Sequence, residues 1–242
     1  MSTPPLPPSD PSLAPYTPPA AGARLPWEER DRVGFLEALI QTIRLLVTDP
    51  GDAFSRLRPD GDLTSPILFG LILSWISVAL SQIWQVLFGG FYGSFLEGIE
   101  GLEGAWAAPG IGAIVGTLII WPILFIVGLF ISAAILHVCL MIVGAAAQSP
   151  TGFEGTLKVV SYAQVAGIAS VVPIVGSFIF AIWSLVLDVI GFAQAHRTTQ
   201  GRALVAVLIP VILCCACLTL GAILFGAMIA AFFASWTERG GF

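Results

Sequence analysis

Residues 111–144 read IGAIVGTLIIWPILFIVGLFISAAILHVCLMIVG, thirty-four positions without one Asp, Glu, Lys or Arg. A bilayer crossing needs about 20 apolar residues, whereas an uncharged run of roughly 10–14 suits the core of a water-soluble domain. This run is too long for a soluble core and overlong for one crossing, since a single helix would extend roughly 50 Å. A kink at Pro122, with the first turns outside the hydrocarbon, accommodates the excess.

Working outward, further apolar runs lie at 67–88, 156–172, 174–195 and 203–236. Pro173 and Gly176 mark a tight hairpin between the third and fourth runs, and Pro210 sits near the start of the last. The composition agrees: 57% of residues are hydrophobic and only 10% charged, against about 25% charged in a soluble domain. The expected architecture is all-α, a polytopic membrane protein of about five transmembrane helices. One Lys against nine Arg, with no Asn, points to a GC-rich, bacterial genome and excludes N-linked glycosylation.

Charge placement supplies an orientation. Six Arg precede the first span, the 89–110 loop carries Glu97, Glu100 and Glu103 but no basic residue, and Lys158 follows the second span. The 173–176 turn again lacks a cation, while Arg197 and Arg202 separate the last two spans. Basic residues accumulate on the cytoplasmic side, so the amino end is expected inside and the carboxyl end outside, at a bacterial inner membrane. No cleavable signal is expected, because the first long apolar run begins near Ile67.

Ahead of the spans, residues 1–26 form a Pro-rich segment, MSTPPLPPSDPSLAPYTPPAAGARLP. It has too few large apolar side chains for a core and reads as a disordered cytoplasmic tail. It serves either as a solvated tether or as a docking peptide for a cytoplasmic protein partner. Residues 27–62 are read as an amphipathic juxtamembrane segment, with Val33, Leu36, Leu39, Ile40, Ile43 and Val47 at helical spacing. Asp49-Pro50 ends that helix and starts a short second one. Residues 63–242 form the five-span domain.

Chemistry-bearing motifs are scarce. The sequence has no GxxxxGK[ST], HExxH or GxSxG pattern, so no enzyme activity, cofactor or metal centre is expected. Nor is any nucleic-acid site expected. Cys139, Cys214, Cys215 and Cys217 lie at membrane depth, where thiols serve mostly as small packing residues. His137 and Asp188 matter more, because an ionisable group in hydrocarbon costs about 2.5–3.5 kcal/mol on insertion scales. Both fall near the cytoplasmic ends of their helices, level with Tyr162, which suggests a polar cluster in which Asp188 accepts from His137 or Tyr162. Such a cluster is either interhelical glue or part of a proton or solute path. Gly112–Gly116 is a GxxxG pattern compatible with a homo-oligomer, and Glu154 and Lys158 are spaced to pair at the start of the third span.

Three stretches resemble the Yip family of Ypt/Rab-interacting membrane proteins, in the form typical of bacterial members. Asp49-Pro50-Gly-Asp-Ala-Phe54-Ser-Arg-Leu57 is similar to the family's pre-membrane P-x-x-x-F-x-x-L. Asp62-Leu63-Thr64-Ser65-Pro66 stands in place of D-L-Y-G-P. Val160-Ser161-Tyr162-Ala163 occupies a Gly-Tyr position and is followed by Pro173, Gly176, Ile182-Trp183 and Gly191…His196…Gly201-Arg202-Ala203. His137, Leu140 and Gly144 also match the family's H-L-x-x-x-x-x-G run in part. The resemblance implies a five-span domain with a cytoplasmic amino end. Eukaryotic members are associated with Rab GTPase binding and membrane trafficking, but Thr64, Ser65 and Ser161 depart from the motifs linked to that activity. The expected function is a non-enzymatic membrane scaffold or adaptor whose contacts are membrane lipid, a cytoplasmic protein and further copies of itself. The alternative is a small-solute, proton or lipid transporter using His137 and Asp188.

Overall fold

A computed structural model of the chain describes residues 24–58, 62–96, 109–147, 149–173 and 175–238. The Pro-rich stretch before residue 24 and the three outer-loop glutamates lie outside the described residues. Among the described residues there are helices and no strands.

The amino-terminal part folds into four short pieces. A 3-10 turn, Pro26–Glu29, leads into α1 (Arg30–Val33), α2 (Phe35–Thr48) and α3 (Pro50–Ser55). Gly34 separates α1 from α2 at a φ of 101°, a left-handed conformation that strains any residue with a Cβ. Asp49 ends α2 and caps α3 by accepting from the Asp52 N–H at 3.0 Å, with Pro50 at the first helical position, where a missing N–H costs nothing.

Four longer helices follow: α4 (Thr64–Leu96), α5 (Ile111–Ile142), α7 (Val175–Ala195) and α8 (Gln200–Glu238). All four are long and apolar enough to cross a membrane, and their most apolar windows are only 17–33% buried. So much exposed Ile, Leu, Val and Phe identifies a lipid-facing surface and an integral membrane protein.

The third apolar run takes a different form. It divides into α6 (Gly152–Ala163) and a 3-10 segment, Gln164–Val171. Residues 155–163 are all buried, so α6 is the central element, touching α4, α5 and α7. Hydrogen bonds fix its course. Thr156, near its start, bonds histidines at the ends of α5 and α7, while the carbonyl of Ser170 receives the Trp84 indole N–H from α4 at 2.9 Å. A helix with no lipid-exposed face has no need of uniform hydropathy, and this one carries Lys158, Thr156 and Ser161.

The close packing depends on glycine. A Cβ at Gly70 would lie 2.7 Å from the carbonyl oxygen of Ser161, so α4 reaches the backbone of α6 only because that carbon is absent. Gly176 plays the same part against the carbonyl of Ala169, closing the turn after Pro173.

One continuous core joins the amino-terminal pieces to the bundle. Leu25, Trp27, Ala38, Leu46, Ala53 and Phe54 belong to the same buried cluster as Phe69, Tyr162 and Phe192. The face of α2 that packs inward carries Ala38, Leu39, Thr42 and Leu46. Leu36, Ile40 and Val47 from the apolar stripe read in the sequence lie exposed on another side of α2.

Several local expectations are corrected. Cys214, Cys215 and Cys217 do not pack within the chain: residues 211–229 of α8 are exposed throughout, and only Cys139 is buried. Glu154 is exposed and forms no ion pair with Lys158 among the described residues; Lys158 turns to the Arg58 carbonyl at 2.8 Å. Separately from these corrections, Gly112 and Gly116 face open space, since no described residue would meet a Cβ at either.

Candidate functional site

The segment Asp62–Pro66 works first as a helix start. The Asp62 carboxylate accepts from the Thr64 N–H at 2.8 Å, from the Ser65 N–H at 3.1 Å and from the Ser65 hydroxyl at 2.8 Å. These donors, which the helix itself leaves unpaired, hold the Asp62 carboxyl down at about 2. Pro66 lies in the first turn, where no N–H is needed, and Leu63 packs against the core.

Onto that start the amino-terminal turn is fastened. Trp27 is fully buried, and its indole N–H donates to the Ser65 carbonyl at 2.7 Å. Its backbone N–H donates to the Thr42 hydroxyl at 2.8 Å. Phe35 and Phe69 meet the indole ring edge-on, and Arg30 lies over it at 5.2 Å. Arg30 also donates to the Ser65 hydroxyl at 2.8 Å. Phe69 in turn packs on Tyr162 at 5.1 Å, and the Tyr162 hydroxyl donates to Glu28 at 3.2 Å. Burial raises the Glu28 carboxyl, a shift opposed by that hydrogen bond. Two sequence motifs about a hundred residues apart thus meet through Trp27 and Phe69.

Beside this contact lies a cavity of about 260 Å³ whose lining is almost entirely charged. Arg24, Arg30, Arg58 and Lys158 contribute cations, while Glu28, Asp31 and Asp62 contribute carboxylates. Lys158 is only 2% exposed.

A second polar constellation lies where α5, α6 and α7 converge. The His137 Nδ1 and the His196 Nε2 both lie 2.9 Å from the single Thr156 hydroxyl. The His196 Nδ1 continues to the Ser149 hydroxyl at 2.7 Å, and Thr151 donates to the Ala195 carbonyl at 3.0 Å. Both histidines of the chain are therefore neighbours, with ring centroids 5.9 Å apart. Burial, reinforced by His137, lowers His196 to about 4. The arrangement ties three helix ends together.

The expected cluster of His137, Tyr162 and Asp188 does not form as read. His137 bonds Thr156, Tyr162 bonds Glu28, and the Asp188 Oδ1 is buried with no hydrogen-bond partner. Counting residues fixes a position along a helix and leaves rotation about its axis free. Ser161 is buried and bonds back to the Leu157 carbonyl at 2.7 Å. Sequence reasoning missed Thr156, His196 and Trp27 as partners. The available signal was positional, since His137 and His196 both lie at the ends of apolar runs that converge on the same side. No group of three or more potential metal ligands occurs among the described residues.

Among known proteins, the family model of the Yip1 domain matches residues 43–221. No curated protein and no solved structure gives a match. The matched span begins within α2 and therefore contains Asp62, Ser65, Tyr162, His137 and His196, whereas Trp27, Glu28 and Arg30 lie ahead of it.

Proposed function

The chain belongs to the Yip1 domain family, and from that premise we propose a non-enzymatic membrane scaffold or adaptor that recruits a cytoplasmic protein at its amino-terminal face. The observation that carries this reading is the seating of residues 24–58 on the Asp62–Pro66 and Tyr162 motifs, with Trp27 as the buried fastener. A packed platform ahead of the first span is of little use to a pore but suits a docking surface, and the Pro-rich residues 1–23 precede it in the sequence.

The proposed topology has five passes, with α6 and its 3-10 continuation as the third. Two ties support it: Thr156 to the ends of α5 and α7, and Ser170 to the far part of α4. At about 1.5 Å per α residue and 2.0 Å per 3-10 residue, the combined segment reaches roughly 34 Å, comparable to the hydrocarbon core. With the basic residues inside, the amino end faces the cytoplasm of a bacterium and the carboxyl end lies outside. The exposed Leu36, Ile40 and Val47 stripe of α2 fits an interfacial helix lying against lipid.

Co-purification in mild detergent tests the adaptor reading by comparing the full chain with one lacking residues 1–23. A protein retained by the full chain and lost from the shortened one is the expected result. Identical partner sets, with both forms inserted in the membrane, would remove the recruiting role of the tail.

A further inference from the structure

The lining of the charged cavity sets four cations, Arg24, Arg30, Arg58 and Lys158, against three carboxylates, Glu28, Asp31 and Asp62. Both Asp62 oxygens accept the donors of the α4 start, and Glu28 accepts from Tyr162. Lys158 is almost fully buried, yet its ammonium makes one hydrogen bond, to the Arg58 carbonyl, and no ion pair among the described residues. An ammonium has three N–H donors, and among the described residues one of them meets an acceptor. An anion entering the cavity would supply the further acceptors that a buried ammonium favours. Arg30 is held in place beside it by the Trp27 carbonyl, the Trp27 ring and the Ser65 hydroxyl, all reached without its Nη2 or Nε.

We propose that this cavity is a binding site for a phosphate group, with Lys158 as the central ligand and Arg24 and Arg30 beside it. The cavity is lined by Ser65, in the first turn of a membrane-crossing helix, which places it at the level of lipid phosphates. Basic pockets at that depth take anionic headgroups, and the same chemistry would hold a soluble phosphate. With one more cation than carboxylate in its lining, the cavity favours an anionic headgroup over a zwitterionic one. The site is independent of whether a protein partner docks on the tail.

The test uses the full chain in neutral detergent, titrated with short-chain phosphatidylglycerol, short-chain phosphatidylcholine and inorganic phosphate, with tryptophan fluorescence as the readout. Saturable binding of phosphatidylglycerol in preference to phosphatidylcholine is expected. Lys158→Gln should weaken it about tenfold, equivalent to about 1.4 kcal/mol. Arg24→Gln changes an exposed side chain that does not threaten the fold, and should weaken binding about fivefold. Lipid binding that phosphate displaces only at much higher concentration assigns a headgroup; phosphate binding of equal strength assigns a soluble ligand, and both support the site. Saturable binding of neither, or unchanged binding in Arg24→Gln and Lys158→Gln alike, overturns it.

Discussion

Replacing Trp27 by Ala should undock the amino-terminal platform while leaving the membrane helices assembled. The indole is fully buried, donates one hydrogen bond to the Ser65 carbonyl, and packs edge-on against Phe35 and Phe69. Loss of that hydrogen bond removes about 1 kcal/mol, and each aromatic pair contributes about 0.5–1.5 kcal/mol beyond its buried area. Together with the cavity left behind, the total matches the usual Trp→Ala cost of about 3–5 kcal/mol. The loss falls on one local opening, the separation of residues 25–55 from α4, α6 and α7, because the turn that carries Trp27 packs on α1, α2 and α4. Hydrogen exchange in nanodiscs measures that opening directly. Amides of α2 should exchange roughly a hundredfold faster or more, whereas those of α5 stay unchanged. Trp27→Phe keeps an aromatic ring in the pocket but loses the N–H and part of the indole, so its effect should be smaller than that of Trp27→Ala. Unchanged α2 protection in Trp27→Ala would refute the fastener; equal loss in α5 would show that the platform and the spans unfold as one unit.

Two further outcomes follow from the site. His196 sits near 4 in the folded chain against an ordinary 6.5, so the native state binds fewer protons than the unfolded one between those values. Stability should therefore be complete above about pH 6.5 and decline as pH falls toward 4, and a melting series should show the decline flattened in His196→Gln. A variant with the same slope as wild type would assign the decline to other groups. Asp62→Ala removes the cap at the start of α4 and should cost about 1 kcal/mol. Its effect on melting should shrink as pH falls toward 2, where the wild-type carboxylate also protonates.

The membrane class, the helical content and the start of α3 were legible in the sequence because each depends on local pattern. Uncharged runs mark membrane helices by length alone, and the start of α3 at Asp49-Pro50 follows from one carboxylate and one missing N–H. The family likeness was also readable, since it rests on the order of short motifs, and the Yip1 domain match confirms it. Lys158 shows where such reading stops. From the chain it is a positive charge four residues after Glu154, suited to a surface ion pair, yet folding buries it in the central helix and turns it toward Arg58. Counting residues assigns His137 and Asp188 to one depth, but it cannot assign a partner, which depends on how each helix is rotated. Rotation is set by close approaches such as Gly70 against Ser161, and those exist only once α4 and α6 are packed together. Local spacing along this chain determined what each segment is; only packing decided that Trp27 joins Ser65, that Thr156 joins two histidines, and that four cations line one cavity.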